Sequence, residues 1–305
     1  MTMDPDPRVA GAAAPGRPAA PGRPAAPGRP AASGAPFPVP RPLHARLTAP
    51  AGPPAARLVE RGGAAVMALP GRYSVTHLLL GPDAVVVVDV GSTADVALVL
   101  RALAWLGRPP GQVRAVVPSH LHFDHVMGVD ALARRLDVPV LLGAVAAAHV
   151  RAGRAPRYPG GWRLWRAVLT WPMQGLPFPP LADWRHGLDF GFPWARNAFR
   201  APLLPPLTDG AALPGLPGWT VLATPGHADD AIGLYHAGAR FLVAGDTVRN
   251  FLGGEWNPLL ADPDAMRRTR ARLGGLAVET VFPAHGPVLE GPDVLARLRD
   301  PVLLP

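Results

Sequence analysis

The sequence predicts an α/β fold in which two similar αβ units pack sheet against sheet. Two observations carry this. Apolar runs of strand length alternate with segments of helix length along most of the chain. The runs before residue 151 and those after residue 215 follow a similar order, as two related halves would. At 305 residues the chain is long enough for one large α/β domain with a sizeable core.

Residues 13–30 are three tandem copies of Ala-Ala-Pro-Gly-Arg-Pro. Proline lacks the N–H and fixes φ, so these hexads suit neither a helix nor a sheet interior. Residues 1–55 are therefore expected to be a disordered or polyproline-like tail ahead of one domain spanning 56–305. Ordered structure is expected from about Arg57. Ser74 to Leu80 reads as a strand, Gly81-Pro82-Asp83 as a turn, and Ala84 to Val88 as a second strand, apolar throughout and so buried on both faces. A helix over Thr93 to Leu106 follows, then a strand over Val113 to Val117, a helix ending near Arg135, and a strand over Val138 to Leu142.

Residues 151–215 break this rhythm. They hold Trp162, Trp165, Trp171, Trp184 and Trp194, five of the eight tryptophans, among many prolines and arginines, and read as an insertion at the edge of the fold. The insertion is expected either to cover the site as a lid suited to an apolar or acyl-bearing substrate, or to pack a small core of its own. Strands resume at Trp219 to Ala223, Ala231 to Tyr235 and Arg240 to Ala244. A helix over Pro263 to Leu273, a strand over Glu279 to Phe282 and a last helix over Pro292 to Arg299 complete the reading.

Composition narrows the function classes. There is no cysteine, which excludes disulfides, thiolate metal ligands and a cysteine nucleophile. All thirty basic residues are arginine, and the net charge is +8. An Ala/Pro/Arg-rich, lysine-free chain points to coding bias rather than to a nucleic-acid footprint, so no nucleic-acid partner is expected. No apolar run is long enough to span a bilayer, and the N-terminus lacks the apolar core of a secretory signal. The expectation is a cytoplasmic protein acting on a small molecule.

The strongest motif is His120-x-His122-x-Asp124-His125, directly after the strand that ends at Val117. Imidazole and carboxylate suit a borderline divalent ion such as zinc. His120 and His122 would project the same way from an extended loop, whereas Asp124 and His125 lie beyond the turn and could face a second ion. Further candidates stand at other strand ends: His227 in Thr224-Pro225-Gly226-His227, Asp246 in Ala244-Gly245-Asp246-Thr247, and His285 in Phe282-Pro283-Ala284-His285-Gly286. Strand ends are where α/β folds place their chemistry. Asp229 or Asp230 could bond a ligand histidine, touch substrate or cap a loop. Arg249 and Asn250 could bind an acidic group or belong to a solvated loop.

Taken in order, these motifs resemble the metallo-β-lactamase superfamily over residues 60–300, and Val88-Asp89-Val90-Gly91 matches its first motif as well. The resemblance implies an αββα sandwich with two metal ions in a groove at the sheet edges. It implies that His120, His122 and His227 hold the first ion, that Asp124, His125 and His285 hold the second, and that Asp246 bridges both. Asp89 would orient ligands from behind. A carboxylate at 246 resembles the glyoxalase II and lactonase-type hydrolases rather than the β-lactam-hydrolysing members. The expected activity is cleavage of an ester, thioester or lactone by a hydroxide shared between two divalent ions, zinc first, with iron or manganese also compatible. Asp124 would be the candidate proton shuttle. The alternatives are a phosphodiesterase or nuclease on the same fold, or an iron-dependent sulfur dioxygenase-like member. Asp246 and His285 are only 39 positions apart, which leaves no room for a large nuclease insertion there.

Overall fold

A two-glycine turn joins the first two strands. Gly62 and Gly63 both adopt positive φ (53° and 79°), the conformation a tight hairpin with right-handed twist requires. They join β1 (Arg57–Arg61) to β2 (Ala64–Pro70). The computed structural model describes residues 56–160, 183, 185, 189–251 and 253–300. The expected N-terminal tail and four of the five insertion tryptophans, Trp162, Trp165, Trp171 and Trp184, lie outside them.

The first sheet continues with β3 (Val75–Leu80), β4 (Val85–Val88) and β5 (Val113–Val117), in the order β1-β2-β3-β4-β5. Its first three pairings are antiparallel and β4–β5 is parallel. A parallel pair needs a crossover, and α1 (Asp95–Trp105) supplies it, burying Leu98, Val99, Ala102 and Leu103 on one face. Three short helices follow β5: α2 (Phe123–Val126), α3 (Val129–Leu136) and α4 (Ala144–Arg151).

The second half repeats the plan. Its strands are β6 (Trp219–Ala223), β7 (Ile232–His236) and β8 (Phe241–Gly245), then a ribbon of β9 (Val248–Arg249) and β10 (Glu255–Trp256). Next come α5 (Pro263–Gly274), β11 (Thr280–Pro283) and β12 (Leu289–Glu290). The sheet order is β12-β11-β8-β7-β6, with β8–β11 parallel and α5 lying between them in sequence. Asp262 caps α5, accepting the backbone N–H groups of Asp264 and Ala265 at 2.9 Å each.

The pleat decides the layers. In β4, Val86 and Val88 face the other sheet and share a core with Val221, Phe241, Val243 and Phe282, whereas Val85 and Val87 face outward to join Leu98 and Leu103 of α1 and Leu132 of α3. On the far side, Leu222, Leu242 and Val281 pack with Leu273 of α5. The result is helix, sheet, sheet, helix: the αββα sandwich. Burying each such side chain contributes about 1.5–3 kcal/mol. Among the described residues no helix is long and apolar enough to cross a membrane.

Four details differ from the sequence reading. That reading lacks β1, β2, β9, β10 and β12, and also α4, which occupies the stretch just before the expected insertion. The helix expected to run unbroken to Arg135 is divided into α2 and α3 around Gly128. Val138 to Leu142 is not a strand: Pro139 has no N–H to give, and only Val140 bridges, to Val116 on one side and Leu203 on the other. Pro292 to Arg299 is a run of turns rather than a helix, because Asp293 takes φ 51° and interrupts the helical path.

Candidate metal centre

The chemistry-bearing residues follow the ends of β4, β5, β6, β8 and β11, all on one edge of the two sheets. Asp89 comes first, just after β4. It adopts φ 57°, a left-handed conformation that Asp tolerates better than most residues. Its carboxylate accepts the Ser119 backbone N–H at 2.6 Å and the Ser119 hydroxyl at 2.9 Å, tying the loop after β4 to the loop after β5. The same carboxylate lies 3.0 Å from Nδ1 of His125. That contact leaves Nε2 of His125 facing the centre.

Each remaining histidine of the motifs at 120, 122 and 227 has one ring nitrogen held from behind. Nδ1 of His120 lies 3.1 Å from the Ser119 hydroxyl, and its Nε2 is enclosed without a hydrogen-bond partner. Nε2 of His122 donates to the Arg157 carbonyl at 3.1 Å. Nδ1 of His227 donates to the Leu259 carbonyl at 2.6 Å. The free nitrogens of these last two converge, with Nδ1 of His122 3.0 Å from Nε2 of His227. Burial, followed by the neighbouring imidazoles, holds His120 well below the ordinary histidine range and lowers His122 to about 3. Burial lowers His227 too, against the opposing pull of Asp246. This trio therefore presents neutral rings with lone pairs available.

Asp246 connects this trio to a second set. One carboxylate oxygen, Oδ2, lies 3.3 Å from Nε2 of His227; the other, Oδ1, lies 3.3 Å from Nε2 of both His125 and His285. Oδ2 of Asp124 lies 3.2 Å from Nε2 of His285 and 3.6 Å from Nε2 of His125. Burial alone would lower the pKa of both His125 and His285. Asp124, Asp246 and Asp89 overcome it and raise His125 well above its ordinary value, while Asp246 and Asp124 raise His285 to about 9. The same pairing holds Asp246 well below the usual carboxylate range and lowers Asp124 despite burial. Positive charge thus belongs in this half of the centre.

All seven residues predicted from the sequence are brought together. Three overlapping groups have potential ligand atoms within 4.8 Å of one another: His120, His122 and His227; His120, His125 and Asp246; Asp124, His125 and His285. Enclosed atoms without a partner include Nε2 of His120, Nε2 of His125 and Oδ1 of Asp246, which a buried cation would satisfy. A nitrogen and carboxylate donor set without sulfur suits zinc and equally iron or manganese. Asp124 and His285 are half-buried while the other five are buried, so the centre opens on their side.

The other candidates named from the sequence have partners elsewhere. Asp229 lies 3.1 Å from Nε2 of His149 and accepts the Arg157 N–H at 3.4 Å. Asp230 accepts the N–H of Leu121, between two of the histidines, at 2.9 Å; burial, then Asp229, raises its pKa to about 7. Arg249 is paired with Glu255 at 2.8 Å, and Asn250 is spent on local backbone, donating to Pro287 and accepting from Gly253 and Gly254. Neither Arg249 nor Asn250 is thereby a free anchor for an acidic group.

Several contributors escape the sequence reading. Asn257, just after β10, lies 3.5 Å from Oδ2 of Asp246 and 3.3 Å from Nδ1 of His227. Tyr158 stacks on His122 with ring centroids 4.0 Å apart and planes inclined by 20°. Burial, then the Asp124 carboxylate, pushes the Tyr158 phenol well above its usual value. Asp183 is buried and accepts from the Tyr73 and Ser92 hydroxyls and from the N–H and hydroxyl of Thr93, at 2.6 to 3.0 Å. The inserted segment also presses on the motif itself. Gly191, at φ 78°, lies so close that a Cβ would sit 2.1 Å from Cα of Phe123. Phe192 then stacks on Phe123 and Trp194 on Phe192, both at 4.9 Å, with Trp194 63% exposed. Of these, Asn257 follows only the two-residue β10, and Tyr158 and Asp183 sit in sequence without periodicity.

Comparison with known proteins agrees with this geometry. The model of the metallo-beta-lactamase superfamily matches residues 69–285. A Bacillus subtilis protein named Probable metallo-hydrolase YflN is 24% identical over 233 residues, covering 72% of this chain and 81% of that protein. A second from the same organism, Probable metallo-hydrolase YqjP, is 26% identical over 238 residues, covering 74% and 70%. Among solved structures, the metallo-beta-lactamase family protein TTHA1429 from Thermus thermophilus aligns with a TM-score of 0.50 at 26% identity, covering 77% of this chain and 76% of that one. With the family model spanning well over half of its length, the chain belongs to the metallo-β-lactamase superfamily.

Proposed function

We propose that this protein is a metal-dependent hydrolase that uses two divalent ions to cleave a carboxylic ester, thioester or lactone. The observation that carries this reading is the carboxylate of Asp246, whose two oxygens face different histidine sets at 3.3 Å. That arrangement suits a carboxylate shared between two ions. In this reading His120, His122 and His227 hold one ion, Asp124, His125 and His285 hold the other, and Asp246 spans them. Both Bacillus relatives carry the name metallo-hydrolase, which agrees with it.

Ions held there supply a water acidic enough to attack at neutral pH and positive charge for the oxygen of the attacked carbonyl. The chain's own side chains do the rest. Asp89 and Ser119 fix the ring orientations of His125 and His120. The carbonyls of Arg157 and Leu259 do the same for His122 and His227. Asp124 stands at the open side, but its pairing with His125 and His285 lowers its pKa and makes it a poor proton donor. Ligation is the main role we assign to it, with exchange of protons to solvent secondary. The exposed stack of Trp194 on Phe192 and Phe123 offers an apolar shelf beside the motif, which favours a substrate with an acyl or aromatic portion.

The test is metal analysis of the purified protein coupled to a panel of lactones, thioesters, carboxylic esters, phosphodiesters and β-lactams. Metal-dependent turnover of the first three is expected. Phosphodiester turnover without ester turnover would overturn the reading.

A further inference from the structure

Among the described residues, enclosed polar atoms without a hydrogen-bond partner include Nε2 of His120, Nε2 of His125, Oδ1 of Asp246, Oδ1 of Asp230 and the hydroxyl of Tyr158. Buried polar groups are rarely left unmade, because water is lost and nothing replaces it. Metal ions account for the first three. They do not account for a phenol, which carries a proton and needs an acceptor. The Phe123 N–H stands close to the phenol oxygen, but it is a donor and cannot take that proton. The placement of Tyr158 is not casual either. The backbone of Arg157, its neighbour, is held on both sides: its carbonyl accepts from Nε2 of His122 at 3.1 Å, and its N–H donates to Asp229 at 3.4 Å. That grip lays the Tyr158 ring flat on the His122 ring at 4.0 Å. The hydroxyl is thus carried by a ring fixed to a candidate ligand, and it makes no hydrogen bond although the Asp124 and Asp230 carboxylates stand near it.

We propose that Tyr158 is a catalytic residue whose hydroxyl donates a hydrogen bond to the carbonyl oxygen of the bound substrate and keeps that bond as negative charge gathers on the oxygen. The inference rests on the hydrolytic reading of the metal centre. No proton changes hands at Tyr158; the phenol donates throughout, as fixed donors in a water-poor site do. The ring and the hydroxyl have separable duties: packing on His122 needs only the ring, and the substrate contact needs only the oxygen.

Tyr158→Phe separates them. The metal-loaded wild type and variant are compared in metal content, melting temperature, phenyl acetate hydrolysis, and calorimetric binding of methylphosphonate, a tetrahedral anion that stands in for the charged intermediate. The variant is expected to keep its metal content and melting temperature, to lose kcat by about 10- to 100-fold with little change in KM, and to bind methylphosphonate about 10-fold or more weakly, as loss of one hydrogen bond to a charged acceptor predicts. Unchanged kcat and unchanged methylphosphonate affinity would overturn the proposal, as would loss of metal in proportion to activity, which would make Tyr158 a packing residue only. If the wild type turns over no ester, thioester or lactone, the hydrolytic reading falls and this proposal with it. If the wild type is active and the variant equals it, only the role of Tyr158 falls.

Discussion

Oδ2 of Asp89 lies 3.0 Å from Nδ1 of His125, with both side chains fully buried. The contact fixes which nitrogen of His125 faces the centre, and it holds the ring against rotation. Partners of this kind commonly tune metal affinity about 10- to 100-fold. Asp89→Asn keeps the shape and tolerates the left-handed backbone but removes the charge. We expect metal affinity to fall by about 10- to 100-fold with the fold intact, measured by competition with a chromogenic chelator. Wild-type affinity in the variant would show that Asp89 only ties the two loops together.

Asp246 should control the number of ions. Asp246→Asn removes the charge that faces His227 on one side and His125 and His285 on the other. Metal content should drop from about two ions per chain to about one or fewer, with hydrolysis reduced at least about 100-fold. Elemental analysis of the dialysed protein checks this, and two retained ions would contradict it.

Proton release should accompany metal uptake. Asp246 and Asp124 outweigh burial and raise His285 to about 9. A folded-state pKa above the unfolded value of about 6.5 means that the metal-free protein has the full benefit of this proton below about pH 6.5. The benefit is lost as pH rises through about 9. The melting temperature of the metal-free protein should therefore fall across that window. Coordination needs the neutral ring, so metal binding at about pH 7.5 should release at least about one proton per chain, and affinity should rise with pH over the same range. Calorimetry in buffers of different ionisation enthalpy reads the proton count, and a count of zero would refute the pairing.

Asp183 should anchor the inserted segment. It accepts four hydrogen bonds from Tyr73, Ser92 and Thr93 while buried. Asp183→Ala leaves those donors without an acceptor and should destabilise the fold by about 3 kcal/mol, read from urea unfolding. A loss below about 0.5 kcal/mol would mean that the segment is held elsewhere.

Much of this centre is legible in the sequence because its ligands stand where strands end. His120 through His125, His227, Asp246 and His285 each follow a short apolar run, and apolar runs are what periodicity detects. β4, four valines, is readable on that basis, and β8 nearly so. β2 escapes it because Ala64–Pro70 is buried on both faces and rich in alanine, so it shows neither alternation nor strong strand preference. The Gly62-Gly63 pair is the available sign, being a two-residue hairpin signal. The expected strand at 138–142 is reduced to the bridging residue Val140, because Pro139 has no N–H to give. Tyr158 and Asp183 are invisible for a different reason: their meaning lies in contacts with residues 36 and 90 or more positions away, in a segment whose local pattern is broken by proline and glycine.

The most direct test of the account is the hydrolysis of phenyl acetate, γ-butyrolactone and a thioester by protein stripped of metal with a strong chelator, before and after a divalent ion is added back. Activity should disappear with the metal, return with about two equivalents of ion, and not return in His122→Ala. Full activity in the metal-free protein would contradict it.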